Sequence, residues 1–258
     1  MAELNYALIT GASSGIGECF ARALAARKHN LVLVARSKDK LEALAEELSA
    51  KHRLRAAAFA ADLSRPGAAS ALAERLAAKK LPVDLLVNNA GFGARGEFWH
   101  LSLERMQEMM QLNVLTLVEL THRLIPAMIA NKSGAVINVS STASFQPVPY
   151  TTIYGATKAF VTSFSMALAE ELRPHGIRVV TLCPGGTRTN FFVASDYKKR
   201  TLPGGLQAPE EVVEEALRAL DRSGGLVIPR FTNKMSIFSQ RLVPRRTVAR
   251  IAARLFGP

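Results

Sequence analysis

The sequence predicts a doubly wound α/β fold, in which helices cover both faces of a seven-stranded parallel sheet. Seven short apolar runs alternate with helical stretches along the chain, the order that such a sheet requires. The runs are apolar throughout, as strands buried on both faces must be. They lie at residues 6–10, 31–35, 55–60, 83–87, 135–140, 178–183 and 226–228. Because the chain has 258 residues, of which 48% are hydrophobic, it can bury one large core.

The first strand leads into a glycine-rich turn and then a helix. Three glycines follow the spacing G-x-x-x-G-x-G in TGASSGIG, and residues 16–28 carry Ala, Leu and Phe on one helical side. Glycines let a backbone approach a diphosphate at the positive end of a helix. The residues predicted to cradle it are Gly11, Ser13, Ser14, Gly15, Ile16 and Gly17. Alternatively, the glycines only shape a tight turn, since their spacing departs from the dinucleotide fingerprint G-x-G-x-x-G.

The end of the second strand indicates which nucleotide is bound. The sequence there is VLVARSKDK, with Ala35 where an acid would accept a ribose 2′-hydroxyl and Arg36 next to it. An arginine suits a 2′-phosphate, which the hydroxyl of Ser13 could also contact. Alternatively, Arg36 and Lys38 merely begin a solvated helix. The pattern favours NADP over NAD.

Further motifs follow the fourth, fifth and sixth predicted strands. NNAG follows the fourth strand, a Ser-Ser pair ends the fifth, and CPGG follows the sixth. Right-handed crossovers place the carboxyl ends of parallel strands on one edge, where ligands bind in doubly wound sheets. We therefore expect these motifs to meet at that edge.

A tyrosine and a lysine lie four residues apart in YGATK. If residues from Thr152 onward are helical, Tyr154 and Lys158 share a helix face. A neighbouring ammonium favours the phenolate and lowers the pKa of a tyrosine from its usual value of about 10. The pair is then suited to proton transfer. Taken alone, the spacing is more typical of a surface pair.

Together these motifs resemble the short-chain dehydrogenase/reductase family. The resemblance rests on TGASSGIG, NNAG at residues 88–91, Asn113, Ser141 and YGATK, in the order of the family, and it spans residues 5–230. It implies a Rossmann-like doubly wound fold and a nicotinamide-dependent oxidoreductase. Hydride passes between the cofactor and a carbonyl or secondary alcohol, so a nearby group must supply or take a proton.

The resemblance also implies roles for four residues. Tyr154 is the general acid and base, and Ser141 donates a hydrogen bond to the reacting oxygen. Ser141 is preferred to Ser140 because the serine and tyrosine of the family lie thirteen residues apart. Lys158 lowers the pKa of the tyrosine and binds the nicotinamide ribose. Asn113 holds a water in a proton relay, or else it only marks a helix kink.

Other cofactor contacts are carried over from the family in the same way. Asp62 is expected to accept from the adenine amine with support from the backbone of Leu63, although an acid at that place could instead cap a helix. The ribose side and the nicotinamide turn are expected to use Asn89, Ala90, Gly91, Pro184, Gly185, Thr187 and Thr189. The irregular residues 191–209 are either a substrate lid or a surface excursion.

The last 29 residues are strongly basic. From residue 230 to 258 there are seven Lys or Arg and no Asp or Glu, out of a net charge of +12. Seven apolar residues interleave with them at roughly helical spacing: Ile237, Leu242, Val243, Val248, Ile251, Leu255 and Phe256. This face could contact one of three kinds of partner. These are protein (the rest of the chain or a second subunit), an anionic membrane surface, and nucleic acid. The last is disfavoured because no nucleic-acid motif accompanies the charge.

Domain organisation and location follow from composition. We expect one domain over residues 1–229, with residues 230–258 as a basic amphipathic extension of it. We expect no membrane span, no signal peptide and a cytoplasmic location. Two distant cysteines predict buried free thiols, and the histidines lack metal-ligand spacing, so no metal is expected. The resemblance implies a homodimer or homotetramer.

The resulting functional prediction is an NADP(H)-dependent oxidoreductase that acts on an apolar small-molecule carbonyl or secondary alcohol. The alternative is a catalytically silent, NADP(H)-binding regulatory protein on the same fold. Intact Ser141, Tyr154 and Lys158 argue against that alternative.

Overall fold

A parallel sheet forms the centre of the computed structural model, which describes residues 5–189, residue 191 and residues 205–257. Within these residues the sheet has seven strands in the order β3-β2-β1-β4-β5-β6-β7. The strands are β1 Tyr6–Thr10, β2 Asn30–Ala35, β3 Ala56–Ala60, β4 Val83–Asn88, β5 Gly134–Val139, β6 Ile177–Leu182 and β7 Gly225–Val227. The predicted strands and the doubly wound fold are confirmed, with ends that differ by one residue. The order reverses between β1 and β4, which places the switch point there.

Helices follow the strands and cover both faces of the sheet. They are α1 Gly15–Ala26, α2 Lys38–His52, α3 Ala68–Ala78, α4 Leu103–Met110, α5 Leu117–Ala130, α6 Thr152–Leu172, α7 Pro209–Arg222, α8 Phe231–Ser239 and α9 Arg245–Phe256. A π-helical turn, Gln111–Thr116, joins α4 to α5. Short 3-10 turns occur at Phe98–His100, Thr142–Phe145, Arg173–His175 and Gln240–Leu242.

Strands β1 to β6 contribute apolar side chains to two separate core layers. In β1, Ala7 and Ile9 point to the layer that α1, α2 and α7 cover. Tyr6 and Leu8 point to the opposite layer, which is covered by α3, α5 and α6. This two-sided burial is the physical reason why the strand sequences are apolar throughout. It also makes the sheet a rigid frame for the loops at its ends.

The stretch from α4 through α5 is a long, apolar helix. No membrane span is predicted from the sequence, yet by length and composition alone Leu103–Ala130 could cross a membrane. In the fold, Met106, Met109 and Leu120 of this stretch are buried. Leu120 belongs to the core layer on one sheet face. This part of the chain is therefore a covering helix of the sheet.

The C-terminal helices pack one side against the rest of the protein. Ile237 of α8 and Val248 and Ala252 of α9 are buried. The Arg95 guanidinium donates to the Gly257 carbonyl over 2.6 Å and so ties the end of α9 to the loop after β4. The predicted amphipathic helices are thus present. The apolar residues predicted to share one face lie in two environments. Ile237 and Val248 are buried, whereas Leu242, Ile251 and Leu255 are exposed.

The two cysteines are free thiols in different environments. Cys183 is buried, as predicted, whereas Cys19 is only half-buried. Burial, followed by the nearby charges of Glu210 and Glu18, raises the pKa of Cys19 to about 11. The thiol of Cys19 therefore stays protonated and unreactive at neutral pH.

Candidate active site

A cleft of about 420 Å³ runs along the carboxyl edge of the sheet. Its walls are the segments that follow β1 to β6, together with the start of α6. Most of the predicted site residues line it: Gly11, Ser13, Ser14, Gly15, Ile16, Arg36, Asp62, Leu63, Asn89, Ala90, Gly91, Ser141, Tyr154, Lys158, Pro184, Gly185, Thr187 and Thr189. Gly17 and Asn113 do not line it, and both lie directly behind its wall.

The glycine turn depends on two kinds of backbone constraint. Gly15 has a φ of +59°, and a Cβ there would lie 3.0 Å from the Cγ2 atom of Thr189. A Cβ on Gly17 would lie 2.2 Å from the Gly11 carbonyl oxygen, which no side chain can do without moving the turn. The amino end of α1, which begins at Gly15, therefore opens directly onto the cleft. Such an end attracts a phosphate group.

The loop after β4 is joined to the end of β1. The side-chain amide of Asn89 donates to the Thr10 carbonyl over 2.9 Å. The Thr10 hydroxyl in turn accepts from the backbone amides of Asn89 and Ala90, over 3.0 and 2.9 Å. The NNAG segment is therefore held next to the glycine turn at the switch point.

A basic and an acidic residue lie at the outer end of the cleft. Arg36 follows β2 and is exposed, and Asp62 follows β3. The Asp62 carboxylate accepts from both the backbone amide and the hydroxyl of Ser64, over 3.1 and 2.7 Å. The Ser64 hydroxyl, and more weakly the charges of Arg36 and Arg65, hold the pKa of Asp62 below its usual value. The helix-cap alternative for Asp62 is wrong, because α3 begins only at Ala68.

Tyr154 and Lys158 occupy the first two turns of α6. The Lys158 Nζ atom lies 5.9 Å from the centre of the Tyr154 ring and donates to the Val139 carbonyl over 2.7 Å. Burial lowers the pKa of Lys158 to about 8, against a weaker raising effect of Cys183. The side chain is therefore still mainly an ammonium at pH 7, in a place where its charge is poorly screened by water.

The serine pair after β5 divides into a structural and a cleft-facing residue. Ser140 is buried, and its hydroxyl donates to the Lys158 carbonyl over 2.8 Å. Ser141 is half-buried, and its Oγ atom accepts the Ala143 backbone amide over 3.1 Å. That bond uses a lone pair of the Ser141 oxygen and not its proton, so the hydroxyl can donate to a ligand. This geometry favours Ser141 over Ser140 as the donor.

Asn113 is buried in the π-helical turn between α4 and α5. Its side-chain oxygen accepts the Phe92 amide over 3.2 Å, and its nitrogen donates to the Phe92 carbonyl and to the Thr157 hydroxyl over 3.0 and 3.1 Å. The Thr157 hydroxyl donates to the Tyr154 carbonyl over 2.8 Å. Asn113 thus connects the loop after β4 to the tyrosine turn. The helix irregularity that was one interpretation of Asn113 is present, and the water relay stays a prediction.

The turn after β6 closes the cleft on the side of α1. The Thr187 hydroxyl donates to the Gly185 carbonyl over 3.1 Å, and the Thr189 hydroxyl accepts the Phe191 amide over 3.3 Å. The ring of Phe191 lies 5.4 Å from that of Tyr154, tilted by 50°. Residues 192–204 of the predicted lid, together with residue 190, lie outside the described residues.

Two residues far along the chain support this turn and were not predicted. Gln207 pairs with it through backbone bonds, accepting from Arg188 and donating to Gly186, both over 2.8 Å. Asn233 of α8 packs so closely on Gly185 that a Cβ there would lie 2.7 Å from the Asn233 amide nitrogen. The local sequence carries no signal for either contact, since both depend on how the chain returns to the cleft.

The remaining cleft residues also come from tertiary packing. Phe92 lines the cleft, and the Arg105 guanidinium lies 3.8 Å above its ring. Gln146, Val148 and Thr151 line it from the segment between Ser141 and α6. Proximity to the Ser-Ser pair in the sequence is the one signal that could have indicated these three residues.

A family model described as short chain dehydrogenase matches residues 5–200. The chain belongs to the short-chain dehydrogenase/reductase family. The predicted family and its Rossmann-like fold are thereby confirmed. As a member of the family, the chain is an oxidoreductase that uses a nicotinamide cofactor and acts on carbonyl or hydroxyl carbons. Nothing in the comparisons favours the catalytically silent alternative.

Relatives of this short-chain dehydrogenase/reductase are known by sequence and by structure. The very-long-chain 3-oxoacyl-CoA reductase of Homo sapiens is 32% identical over 232 residues, which are 87% of this chain and 72% of the relative. A short-chain dehydrogenase from Sphingobium yanoikuyae, solved in complex with NADPH, is 36% identical with a TM-score of 0.83, covering 93% and 94% of the two chains. The bulky-bulky ketone specific alcohol dehydrogenase from Comamonas testosteroni is 33% identical with a TM-score of 0.79, over the same shares.

Proposed function

We propose that this protein uses NADP(H) to interconvert a bulky, apolar ketone and its secondary alcohol. The observation that carries the proposal is the convergence of Ser141, Tyr154 and Lys158 on one cleft, beside the glycine turn. A hydrogen-bond donor, a phenol and a buried ammonium are the groups that a carbonyl oxygen needs as it gains charge and a proton.

The residues along the cleft fit a dinucleotide. The cradle around Gly15 and Gly17 is so close that Cβ atoms would fill it, and the amino end of α1 lies at its base. The diphosphate would be held there, and the adenine end near Asp62 and Leu63. The ribose and nicotinamide would lie along residues 89–91, Lys158 and the turn of residues 184–189. When bound, the cofactor supplies or accepts the hydride.

The catalytic steps of the protein concern a proton and an oxygen. Ser141 donates a hydrogen bond to the substrate oxygen, which fixes the orientation of the carbonyl. Tyr154 delivers its phenolic proton to that oxygen during reduction and takes it back during oxidation. The Lys158 ammonium stabilises the phenolate that forms, because it is buried and its charge is poorly screened. Asn113 and Thr157 hold the backbone of the tyrosine turn in place.

The choice of NADP(H) over NAD(H) rests on Arg36. It lines the outer end of the cleft directly after β2, and no carboxylate lies on that strand end in the described chain. A guanidinium there attracts a 2′-phosphate. The Sphingobium yanoikuyae relative binds NADPH, which supports the same choice.

The substrate class rests on the lining of the cleft near Tyr154. Phe92, Ala143, Val148 and Phe191 present apolar surface there, with Gln146 as a polar neighbour. Such a lining favours a substrate with apolar groups beside its carbonyl. Two relatives are named for long-chain 3-oxoacyl thioesters and for ketones bulky on both sides. An apolar 3-oxoacyl chain and a bulky ketone are therefore the first substrates to test.

Assembly and location are part of the same proposal. The family resemblance suggests a homodimer or homotetramer, and the composition of the chain suggests a cytoplasmic location. The exposed side chains of Leu115, Phe160 and Met166 on the outer surfaces of α6 and the α4–α5 helix offer an apolar surface for such contacts.

The deciding experiment follows NADPH consumption at 340 nm with bulky ketones, 3-oxoacyl thioesters, aldehydes and quinones. We expect turnover with at least one bulky ketone or 3-oxoacyl thioester. The Tyr154→Phe variant should lose at least about 100-fold in kcat, because general acid catalysis contributes roughly that much. Its affinity for NADPH should stay the same. Nucleotide binding without turnover across the whole panel, or unchanged kcat in Tyr154→Phe, would contradict the proposal.

A further inference from the structure

The surface of α8 carries a continuous apolar stripe that faces away from the protein. Phe231, Met235, Phe238 and Leu242 are spaced by four, three and four residues over α8 and the 3-10 turn that follows, so they share one helix face. Their exposed fractions are 74%, 48%, 53% and 73%. Four large apolar side chains are therefore presented to the surroundings side by side.

The opposite face of α8 is fixed on the protein. Ile237 is buried, and the Asn233 side chain donates to the Pro229 carbonyl over 2.7 Å while it packs on Gly185. The stripe therefore cannot turn inward without breaking the contacts that support the turn after β6. Its outward orientation is a property of the fold.

Basic side chains lie beside the stripe on α8 and recur on the exposed side of α9. Lys234 and Arg241 lie beside it, and Arg246, Arg250 and Arg254 follow at intervals of four residues on α9. Ile251 and Leu255 are exposed next to these arginines, whereas Val248 and Ala252 are buried beneath them. The outer surface of both C-terminal helices thus combines apolar and cationic side chains.

The charge on this surface is uncompensated. No Asp or Glu occurs from residue 230 to 258. Arg230 pairs with Glu211 at the edge of the surface, over 3.1 Å. Within residues 5–189, 191 and 205–257, no ion pair involves Lys234, Arg241 or the basic residues of α9.

We infer that the outer face of α8 and α9 docks on an anionic lipid surface. Apolar side chains that enter the headgroup boundary, beside lysines and arginines that attract acidic lipids, are the two requirements for such binding. A second copy of the chain fits less well, because a symmetric contact would place this face against itself and bring like charges together. Nucleic acid would attract the charges but would leave the apolar stripe without a partner.

The helix that carries the docking face packs on the active-site cleft with its opposite side. Asn233 of α8 packs on Gly185, which lines the cleft. At the end of α9, Gly257 is held by Arg95 of the loop after β4, beside Tyr150. A docked protein would hold the cleft near the bilayer surface, where an apolar substrate dissolves. Only this benefit rests on the proposed function; the docking itself does not.

The test is sedimentation of the full chain with vesicles of neutral phosphatidylcholine, alone or with about one third phosphatidylglycerol. We expect binding to the anionic vesicles, weaker binding in high salt, and little binding to the neutral ones. The triple variant Arg246→Gln, Arg250→Gln, Arg254→Gln should reduce partitioning on the order of 100-fold, at about tenfold or less for each charge. The triple variant Phe231→Ser, Phe238→Ser, Leu242→Ser should reduce it more than about 10-fold.

A matched control removes three exposed lysines at the other edge of the sheet. Lys51, Lys79 and Lys132 lie shortly before β3, β4 and β5, and their replacement by Gln should leave vesicle binding within about threefold of the wild type. All three variants should keep NADPH-dependent turnover of a water-soluble ketone without vesicles. That activity separates a failure of docking from a failure of the proposed function.

Three results would overturn the inference. These are no binding of the wild type to anionic vesicles, equal binding to neutral ones, and an effect of the lysine control as large as that of the arginine variant. Loss of an oligomer in the Phe231, Phe238 and Leu242 variant, without any vesicle binding by the wild type, would assign the stripe to a second copy.

Discussion

The chemistry of the site depends on where single side chains are buried. Lys158 is held in the wall of the cleft by its bond to the Val139 carbonyl, and burial lowers its pKa from 10.5 to about 8. A more exposed lysine would be fully charged but screened by water, and would act less strongly on Tyr154. In the proposed mechanism, burial reduces the charged fraction of Lys158 but strengthens the effect of the remaining charge on Tyr154.

The lowered pKa of Lys158 predicts how stability depends on pH. The folded protein binds fewer protons than the unfolded chain between pH 8 and 10.5, so the free energy of unfolding should gain from this group as pH rises through that window. The destabilisation present below pH 8 is roughly 3 kcal/mol at about 1.4 kcal/mol per pKa unit. Chemical denaturation of the wild type and of Lys158→Met across this range measures it.

Comparison of Lys158→Met with the wild type separates the contribution of Lys158 from those of other groups that titrate between pH 8 and 10.5. The stability of Lys158→Met relative to the wild type should be highest near pH 7 and should fall as the pH approaches 10.5. A constant difference between the two proteins would show that the pKa of Lys158 is not lowered.

Arg36 offers a second prediction for a single residue. Arg36→Asp should lower kcat/KM for NADPH and raise it for NADH, so that the ratio changes by at least about 100-fold, because an acid repels a 2′-phosphate and accepts a 2′-hydroxyl. Steady-state kinetics with both cofactors measure the ratio. Lys38→Asp is the matched control, since it makes the same charge change two residues away on an exposed side chain. An equal effect of both variants would assign the preference to general electrostatics rather than to Arg36.

At the scale of elements, short turns hold the cleft in shape. The turn between β1 and α1 packs against the turn after β6 through Gly15 and Thr189. The turn after β6 is held in turn by Gln207 and by Asn233 of α8. The residues proposed for the diphosphate and those proposed for the nicotinamide are therefore structurally connected. A change in one turn is expected to reach the other.

At Gly17, the addition of a single methyl group is expected to disturb the glycine turn. The added methyl of Gly17→Ala would lie 2.2 Å from the Gly11 carbonyl oxygen, so the turn must shift. We expect a loss of about 1–3 kcal/mol in the free energy of unfolding, typical of overpacking, and at least about tenfold weaker NADPH binding. Thermal unfolding and fluorescence titration with NADPH measure the two effects.

Gly155→Ala is the comparison for this change. A Cβ on Gly155 in α6 would meet no described atom closer than 3.5 Å, which is ordinary van der Waals contact. This variant should keep NADPH affinity and should gain slightly in stability, because alanine favours a helix over glycine. Similar losses in the two variants would mean that the close approach at Gly17 is not what the turn requires.

At the scale of the whole molecule, the parallel sheet brings distant motifs to one edge. The glycine turn follows β1, the NNAG segment follows β4, Ser141 follows β5 and the CPGG turn follows β6. Roughly 170 residues of chain separate the first of these from the last, yet they line one cleft. The basic C-terminal helices pack beside this cleft. If their exposed surface docks on a lipid bilayer as proposed, it also sets the orientation of the cleft relative to that bilayer.

Much of this arrangement could be predicted from the sequence because it depends on local signals. Strand positions follow from continuous apolar runs, and the helix over Tyr154 and Lys158 follows from their shared face. Two local interpretations were wrong or incomplete. Asp62 does not cap α3, which begins six residues later, and Cys19 is not fully buried. Both depend on where neighbouring segments pack, which periodicity alone does not encode.

Local signals are enough to predict the fold class, the strands, the glycine turn and the shared helix face of Tyr154 and Lys158, because each depends on residues close together in the chain. Contacts between distant segments emerge only in the folded molecule. Examples are the support of Gly185 by Asn233, the tie between Arg95 and Gly257, and the buried state of Lys158. The direction of the α8 stripe belongs with these. An amphipathic sequence shows that a helix has two faces, but the contacts of Ile237 and Asn233 determine which face is buried.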